Sequence, residues 1–181
     1  MSRLSMYEQV LGDGYASLPS DVQRFHRLSG HTVLHGWVET QAHVTMLARA
    51  LAVCLGAPRS SSSGPIRFEL TSSPAEETWT RHFPTRKMTS CMRLVAGHVE
   101  ESLGSARMTF SLVATEGRLS MKLAKMRFFG VPCQAWMMPR IVAEERGVDD
   151  QIHFHITAEL PFLGRVASYR GHLEVHMKEA A

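Results

Sequence analysis

The sequence predicts an α+β fold that is mainly β: a strongly curved antiparallel sheet or barrel of about eight to nine strands, with short N-terminal helices and an apolar helix packed on the concave face. Three observations carry this reading. Apolar residues alternate with polar ones at Ile66, Phe68 and Leu70, at Met108, Phe110 and Leu112, and at Ile152, Phe154 and Ile156, so each segment buries one face only. Turn signals such as Ser72-Ser73-Pro74, Glu116-Gly117 and Asp149-Asp150 separate the segments at short intervals. Helical spacing is confined to residues 1–30 and to 41–56.

Taken in order, Ser5-Met6-Tyr7-Glu8 has capping-box spacing and starts a short helix that runs to Leu11 and ends at Gly12. A second helix spans about 19–28, with Pro19 in its first turn, Asp21 placed for the dipole, Gly30 as its stop, and Val22, Phe25 and Leu28 on one apolar face. Residues 31–39 are rich in β-branched and aromatic side chains and form a strand in which Gly36 marks a bend. The segment 41–56 carries Gln41, Thr45 and Arg49 every fourth residue; the rest of its circumference is apolar, which demands cover on several sides. The concave face of the sheet is the surface broad enough to supply it.

Further strands are expected near 77–83, 87–95, 117–129, 140–146 and 165–176. Within 117–129 the apolar phase slips from Leu119, Met121 and Leu123 to Met126 and Phe128, which calls for a one-residue bulge near Ala124. The hairpin closed by Pro161-Phe162-Leu163-Gly164, centred between Phe162 and Leu163, pairs Gln151 with Glu174, His153 with His172 and His155 with Arg170.

With 181 residues, 44% hydrophobic and 20% charged, the chain has the length and balance of one globular domain spanning 1–181, in which a helical N-terminal region (residues 1–30) precedes a sheet with its helix (residues 31–177). Cys54, Cys91 and Cys133 are odd in number and lack Cys-x-x-Cys spacing, so neither a disulfide framework nor a zinc knuckle is indicated, and no cofactor is called for. A reducing, cytoplasmic setting fits, and no stretch has the length of a signal core or a membrane span. A net charge of +3 spread along the chain argues against nucleic acid as a partner.

The chemistry-bearing residues are few. Trp79, Arg81 and Phe83 share one strand face, so a buried Arg81 needs an acidic partner, for which Glu101 and Glu145 are the candidates, or serves as anchor for a ligand's carboxylate or phosphate. His26, late in the second helix, is a candidate acid-base group or a packed core histidine. His153, His155 and His172 have spacing that could hold a metal, but they lie on the polar face of the hairpin beside Arg170, so no metal site is assigned. Eleven methionines fit an irregular core or an adaptable lining; Trp136-Met137-Met138-Pro139 falls in a loop and reads as a lid over a cavity mouth or a surface for a partner. Signatures of nucleophile elbows, dinucleotide folds, P-loops and zincins are missing, so no catalytic residue is assigned.

From YEQVLGDGYASLPSDVQRFH through WTRHF, ESLG and VPCQAWMMP to LPFLGRVASYRGHL, the chain resembles the bacterial domain-of-unknown-function family numbered 4166. The resemblance rests on many small matches, among them Trp79, Arg81, Phe83, Glu101, Gly104, Pro132, Pro139, Pro161, Gly164, Tyr169 and Gly171. It departs at Cys133-Gln134, where a second proline-containing turn is usual, and the hairpin histidines are outside the family pattern. The resemblance implies no activity. It implies a context, since similar domains occur alone or C-terminal to an NAD(P)-binding oxidoreductase domain.

Three functions follow from the residues. The first is a non-catalytic module binding a small apolar or amphipathic ligand, acyl-like or isoprenoid-like, between sheet and helix, with Trp79, Arg81, Phe83, Glu101, Trp136 and Met137 around it. The second is an enzyme using His26, Glu101 and Arg81, which requires those groups to converge in one cleft. The third is an interaction module docking on an oxidoreductase partner through the loop at Trp136.

Overall fold

The computed structural model describes residues 4–41, 45–58, 60–115 and 117–175. The capping box forms as the sequence predicts. Ser5 Oγ accepts from the Glu8 backbone at 3.2 Å and Glu8 Oε2 accepts from the Ser5 backbone at 2.8 Å, starting helix α1, Met6–Leu11. Gly12, at φ 54°, turns the chain into a 3-10 segment, Gly12–Ser17, and Pro19 then precedes α2, Ser20–His26.

The strands are β1 Gly30–Thr40, β2 Ser62–Ser72, β3 Glu76–His82, β4 Lys87–Val95, β5 His98–Leu103, β6 Ala106–Thr115, β7 Arg118–Phe128, β8 Val131–Pro132, β9 Arg140–Val148, β10 Gln151–Leu160 and β11 Gly164–Glu174, with helix α3, Met46–Leu55, between β1 and β2. All pairings are antiparallel. The order β6-β5-β4-β3-β2-β1-β11-β10-β9-β7-β8, with β6 returning to pair with β7, closes ten strands into a barrel, while the two-residue β8 extends the other edge of β7.

Eleven strands replace the predicted eight to nine. The alternation of β5 is masked because its inner face presents Glu101 between Val99 and Leu103, and β8 is too short to show a period. The bulge is where the phase slip puts it: Thr109 pairs with Lys125 and Phe110 with Leu123, so Ala124 is the extra residue. The terminal hairpin has the expected register from Gln151–Glu174 to Ala158–Ala167, then shifts by one, so that Leu160 meets Gly164 around a three-residue turn. His176, the last residue of the predicted 165–176 strand, lies outside the described residues, as do 42–44, Arg59 and Glu116.

The helix between β1 and β2 corrects the sequence reading most. It begins at Met46, where Thr45 Oγ1 caps the Ala48 backbone at 3.1 Å, and ends at Gly56 in the left-handed conformation. Only Ala48 and Ala52 are buried; Met46, Leu47 and Val53 face outward. It is not sheltered inside the curved sheet. It lies across one end of the barrel, from the β10–β11 turn, where Thr45 Oγ1 donates to Leu163 O at 3.0 Å, to the β5–β6 turn, where Ser105 N donates to Cys54 O at 3.3 Å. The physical reason is that the interior is already occupied. Strand side chains leave only a cavity of about 130 Å³, too small for a helix, and α1 and α2 close the opposite end with Met6, Tyr7, Val22, Phe25 and His26, all buried.

Two features shape the wall around the interior. At Gly36 and Gly171 the first and last strands approach so closely that a Cβ would fall 1.9 Å and 2.0 Å from the facing carbonyl oxygens, so glycine alone fits this seam. Between β7 and β9, pairing is limited to Arg118–Ser120 with Glu144–Arg146. Just beyond this short ladder the Ala124 bulge bends β7, and β8 with residues 133–139 completes the wall, as Cys133 N bonds back to Met126 O at 2.9 Å.

Candidate functional site

The inward faces of the strands surround a cavity of about 130 Å³. Its lining is apolar apart from Arg81, Glu101, Glu144, Glu145 and Tyr169, and it includes five methionines, Met88, Met92, Met108, Met121 and Met126. Register explains the composition. Glu77 faces Met92, Met92 faces Glu101 and Glu101 faces Met108 across neighbouring strands, so carboxylates alternate with thioethers around one arc of the wall.

Arg81 is the unusual residue. It is 7% exposed, its cross-strand neighbours are Phe68 and Met88, and its guanidinium carbon sits 5.1 Å from the Trp79 ring and 5.9 Å from the Phe68 ring. Its side chain makes one hydrogen bond among the described residues, Nη1 to Ser90 Oγ at 3.1 Å. The acidic partner expected at Glu101 or Glu145 is not within ion-pair distance, because Glu145 is turned to His26. Aromatic faces contribute roughly 2 kcal/mol to a desolvated cation. Burial of an ion costs several kcal/mol, more than these rings return, although no Arg81 nitrogen is among the fully buried atoms left without a partner.

His26 Nε2 lies 2.7 Å from Glu145 Oε2, and the imidazole stacks on Tyr7 with ring centroids 3.6 Å apart. His26 Nδ1 is buried without a partner among the described residues. Tyr7 donates to Met92 Sδ at 3.4 Å, and burial, then the fields of Glu77, Glu145 and Glu101, push its phenol well above the ordinary range. Burial likewise raises Tyr169, so both phenols are neutral donors; the Tyr169 hydroxyl has no hydrogen bond among the described residues. Glu77 accepts from Trp79 Nε1 at 2.8 Å and Ser72 Oγ at 3.2 Å, yet burial raises its carboxyl against the lowering effect of His26 and of these two bonds.

Of the residues singled out in the sequence, Trp79, Arg81 and Glu101 meet on the cavity wall. Phe83 is buried beside it, edge-on to Tyr169 at 5.3 Å. His26 stands behind Glu145 and not on the lining, so the three groups required for acid-base chemistry do not share one cleft surface. Trp136 and Met137 are exposed in the β8–β9 loop; Pro139 from the same loop reaches the cavity. The hairpin histidines His153 and His155 are exposed on the outer face, the ring of His153 lying 5.6 Å from that of His172.

Sequence reasoning missed Tyr7, Glu77 and Ser90. Glu77 was accessible to it, since it precedes Trp79 and Arg81 by the same period of two; Tyr7 and Ser90 carry no local signal, because distant elements bring them in.

The family model described as Domain of unknown function (DUF4166) matches residues 18–173. No curated protein matches the chain. Among solved structures, the crystal structure of Rv2717c from M. tuberculosis superposes with a TM-score of 0.45 at 9% identity, covering 87% of this chain and 98% of that one. The family match runs from the residue before Pro19 to Leu173 near the end of β11, and on that extent the chain belongs to the domain-of-unknown-function family DUF4166.

Proposed function

We propose that this domain is a non-catalytic binding module for one small amphipathic molecule, held in the barrel with its accepting or anionic end at Arg81 and its apolar body against the methionines, Trp79 and Phe68. The observation that carries this is a buried guanidinium bordering an apolar cavity with a single neutral partner. A ligand carboxylate, phosphate or carbonyl would supply the missing acceptor, and the nearby Tyr169 hydroxyl offers a second donor. The volume narrows the class: an engineered apolar cavity of about 150 Å³ in another protein holds benzene, so this one suits a ring or a short branched chain. Longer acyl or isoprenoid chains require the unbranched methionines to give way.

The divided wall between β7 and β9 supports an entry route, with Pro139 and Met126 flanking it. An enzyme is less well supported. His26 is committed to Glu145, and among the described residues no Ser, Thr or Cys side chain bonds to it. Native mass spectrometry against the denatured mass, with thermal-shift measurements in benzoate, tests the proposal. A retained small molecule, or stabilisation by benzoate that disappears in Arg81→Met while the fold persists, is expected. Absence of both, across a panel of small acids and phosphates with apolar bodies, would overturn it.

A further inference from the structure

The most exposed large apolar side chains gather at one end of this barrel, while Leu4, Trp37, Val95 and Val148 are less exposed elsewhere. The five most exposed large ones are Phe162 at 94%, Met46 at 81%, Phe129 at 69%, Trp136 at 68% and Val131 at 66%, and all belong to the end crossed by α3. They project from separate elements: Phe162 from the β10–β11 turn, Met46 from the first turn of α3, Phe129 from the β7–β8 turn, Val131 from β8 and Trp136 from the β8–β9 loop. The end is continuous, because Thr45 Oγ1 bonds Leu163 O, Ser105 N bonds Cys54 O, and Phe129 N bonds Ser105 O at 2.9 Å.

Charge is sorted the same way. The segments 45–58, 83–87, 104–107, 127–140 and 161–165 at this end contain no Asp or Glu and carry Arg49, Arg86, Lys87, Arg107, Arg127 and Arg140; the exposed Glu159, facing Arg140 and Arg165 across neighbouring strands, is the acidic residue at their border. The turns of the opposite end, 72–77, 95–98 and 148–151, hold Glu76, Glu77, Asp149 and Asp150 and no Lys or Arg, with Arg118 and, from α2 and its C-cap, Arg24 and Arg27 beside them. Near Phe129, Arg107 and Arg127 are direct cross-strand partners, a like-charge pairing that is unfavourable by itself. Glu100, 3.7 Å from Arg107, is the one carboxylate paired there, and Arg49, Arg127 and Arg140 have no ion pair among the described residues.

We infer that this end of the barrel docks on an anionic lipid surface. A bilayer interface accepts separate protruding side chains at different heights, with an amphipathic Trp at headgroup level and cations against the phosphates. A protein partner would need a complementary socket for each tip, and a second copy would bring an equally cation-rich end against this one. The inference stands apart from the identity of any ligand in the cavity.

Flotation of the full chain with vesicles decides it. Binding is expected to phosphatidylcholine vesicles containing about 30% phosphatidylglycerol and not to phosphatidylcholine alone, with release in high salt. Adding anionic vesicles should shift Trp136 emission to the blue, a change that Trp136→Phe abolishes. Each cation removed should weaken partitioning about fivefold, so Arg107→Gln with Arg127→Gln weakens it about twenty-five-fold. Phe129→Ser with Phe162→Ser should release the protein from vesicles with at most a small change in melting temperature, since both side chains are largely solvent-facing and the one ring contact of Phe129 among the described residues is with Phe128. No flotation with anionic vesicles, flotation unchanged by these variants, or an elution volume showing that the surface instead joins two copies, would overturn the inference.

Discussion

His26 Nε2 and Glu145 Oε2 lie 2.7 Å apart, joining the last turn of α2 to β9 across the end of the barrel that the N-terminal helices close. Both side chains are nearly or wholly removed from water. The pair therefore works as a latch. Replacing His26 by Leu leaves the carboxylate buried alone and is expected to cost about 3 kcal/mol. For a chain of this size that lowers the melting temperature by about 6 to 12 °C, measurable by thermal denaturation. Glu145→Gln retains a hydrogen-bonding side chain and should cost less.

Glu77 makes stability fall with rising pH. Burial raises its folded-state pKa above the ordinary 4.5, so between that value and the raised one the folded chain holds a proton that the unfolded chain releases. The contribution is fully present below the ordinary value and is lost as pH climbs through the raised one. Glu77→Gln keeps an acceptor for Trp79 Nε1 and removes the ionisation. Urea unfolding at a series of pH values should show the variant gaining on the parent from about pH 4.5 upward. A constant difference would mean Glu77 is not the group responsible.

Arg81 is expected to separate stability from binding. Without a ligand the buried guanidinium is under-compensated, so Arg81→Met should leave the domain as stable or more stable by about 1 to 2 kcal/mol in urea unfolding. The same variant should lose affinity for any ligand with an anionic end. A marked loss of stability would instead assign Arg81 a structural role.

Gly171 has no room for a side chain, since its Cβ would sit 2.0 Å from Trp37 O and 2.9 Å from Phe154. Gly171→Ala should force β1 from β11 and cost about 4 kcal/mol, in the range where single substitutions are diagnostic. Gly97→Ala, at a turn with open space around it but φ 76°, should cost only the backbone strain of roughly 1 kcal/mol. Denaturant titration of both variants compares the two.

Much of this molecule follows from local pattern. The capping box at Ser5, the three alternating segments, the bulge at Ala124 and the 153–172 pairing rest on period and turn chemistry, which act over a few residues and are visible in a single chain. So are Trp79 and Arg81 on a common face. Closure of the sheet, the seat of α3 and the partner of Arg81 are decided by packing. An apolar helix can cover a concave face or cross its end with equal local propensity. The outcome turned on α1 and α2 taking the opposite end while strand side chains left no room inside for a helix. Likewise Glu145 could pair with either His26 or Arg81, and the path of α2 brought His26 to it first, leaving the guanidinium with Ser90 alone beside the cavity.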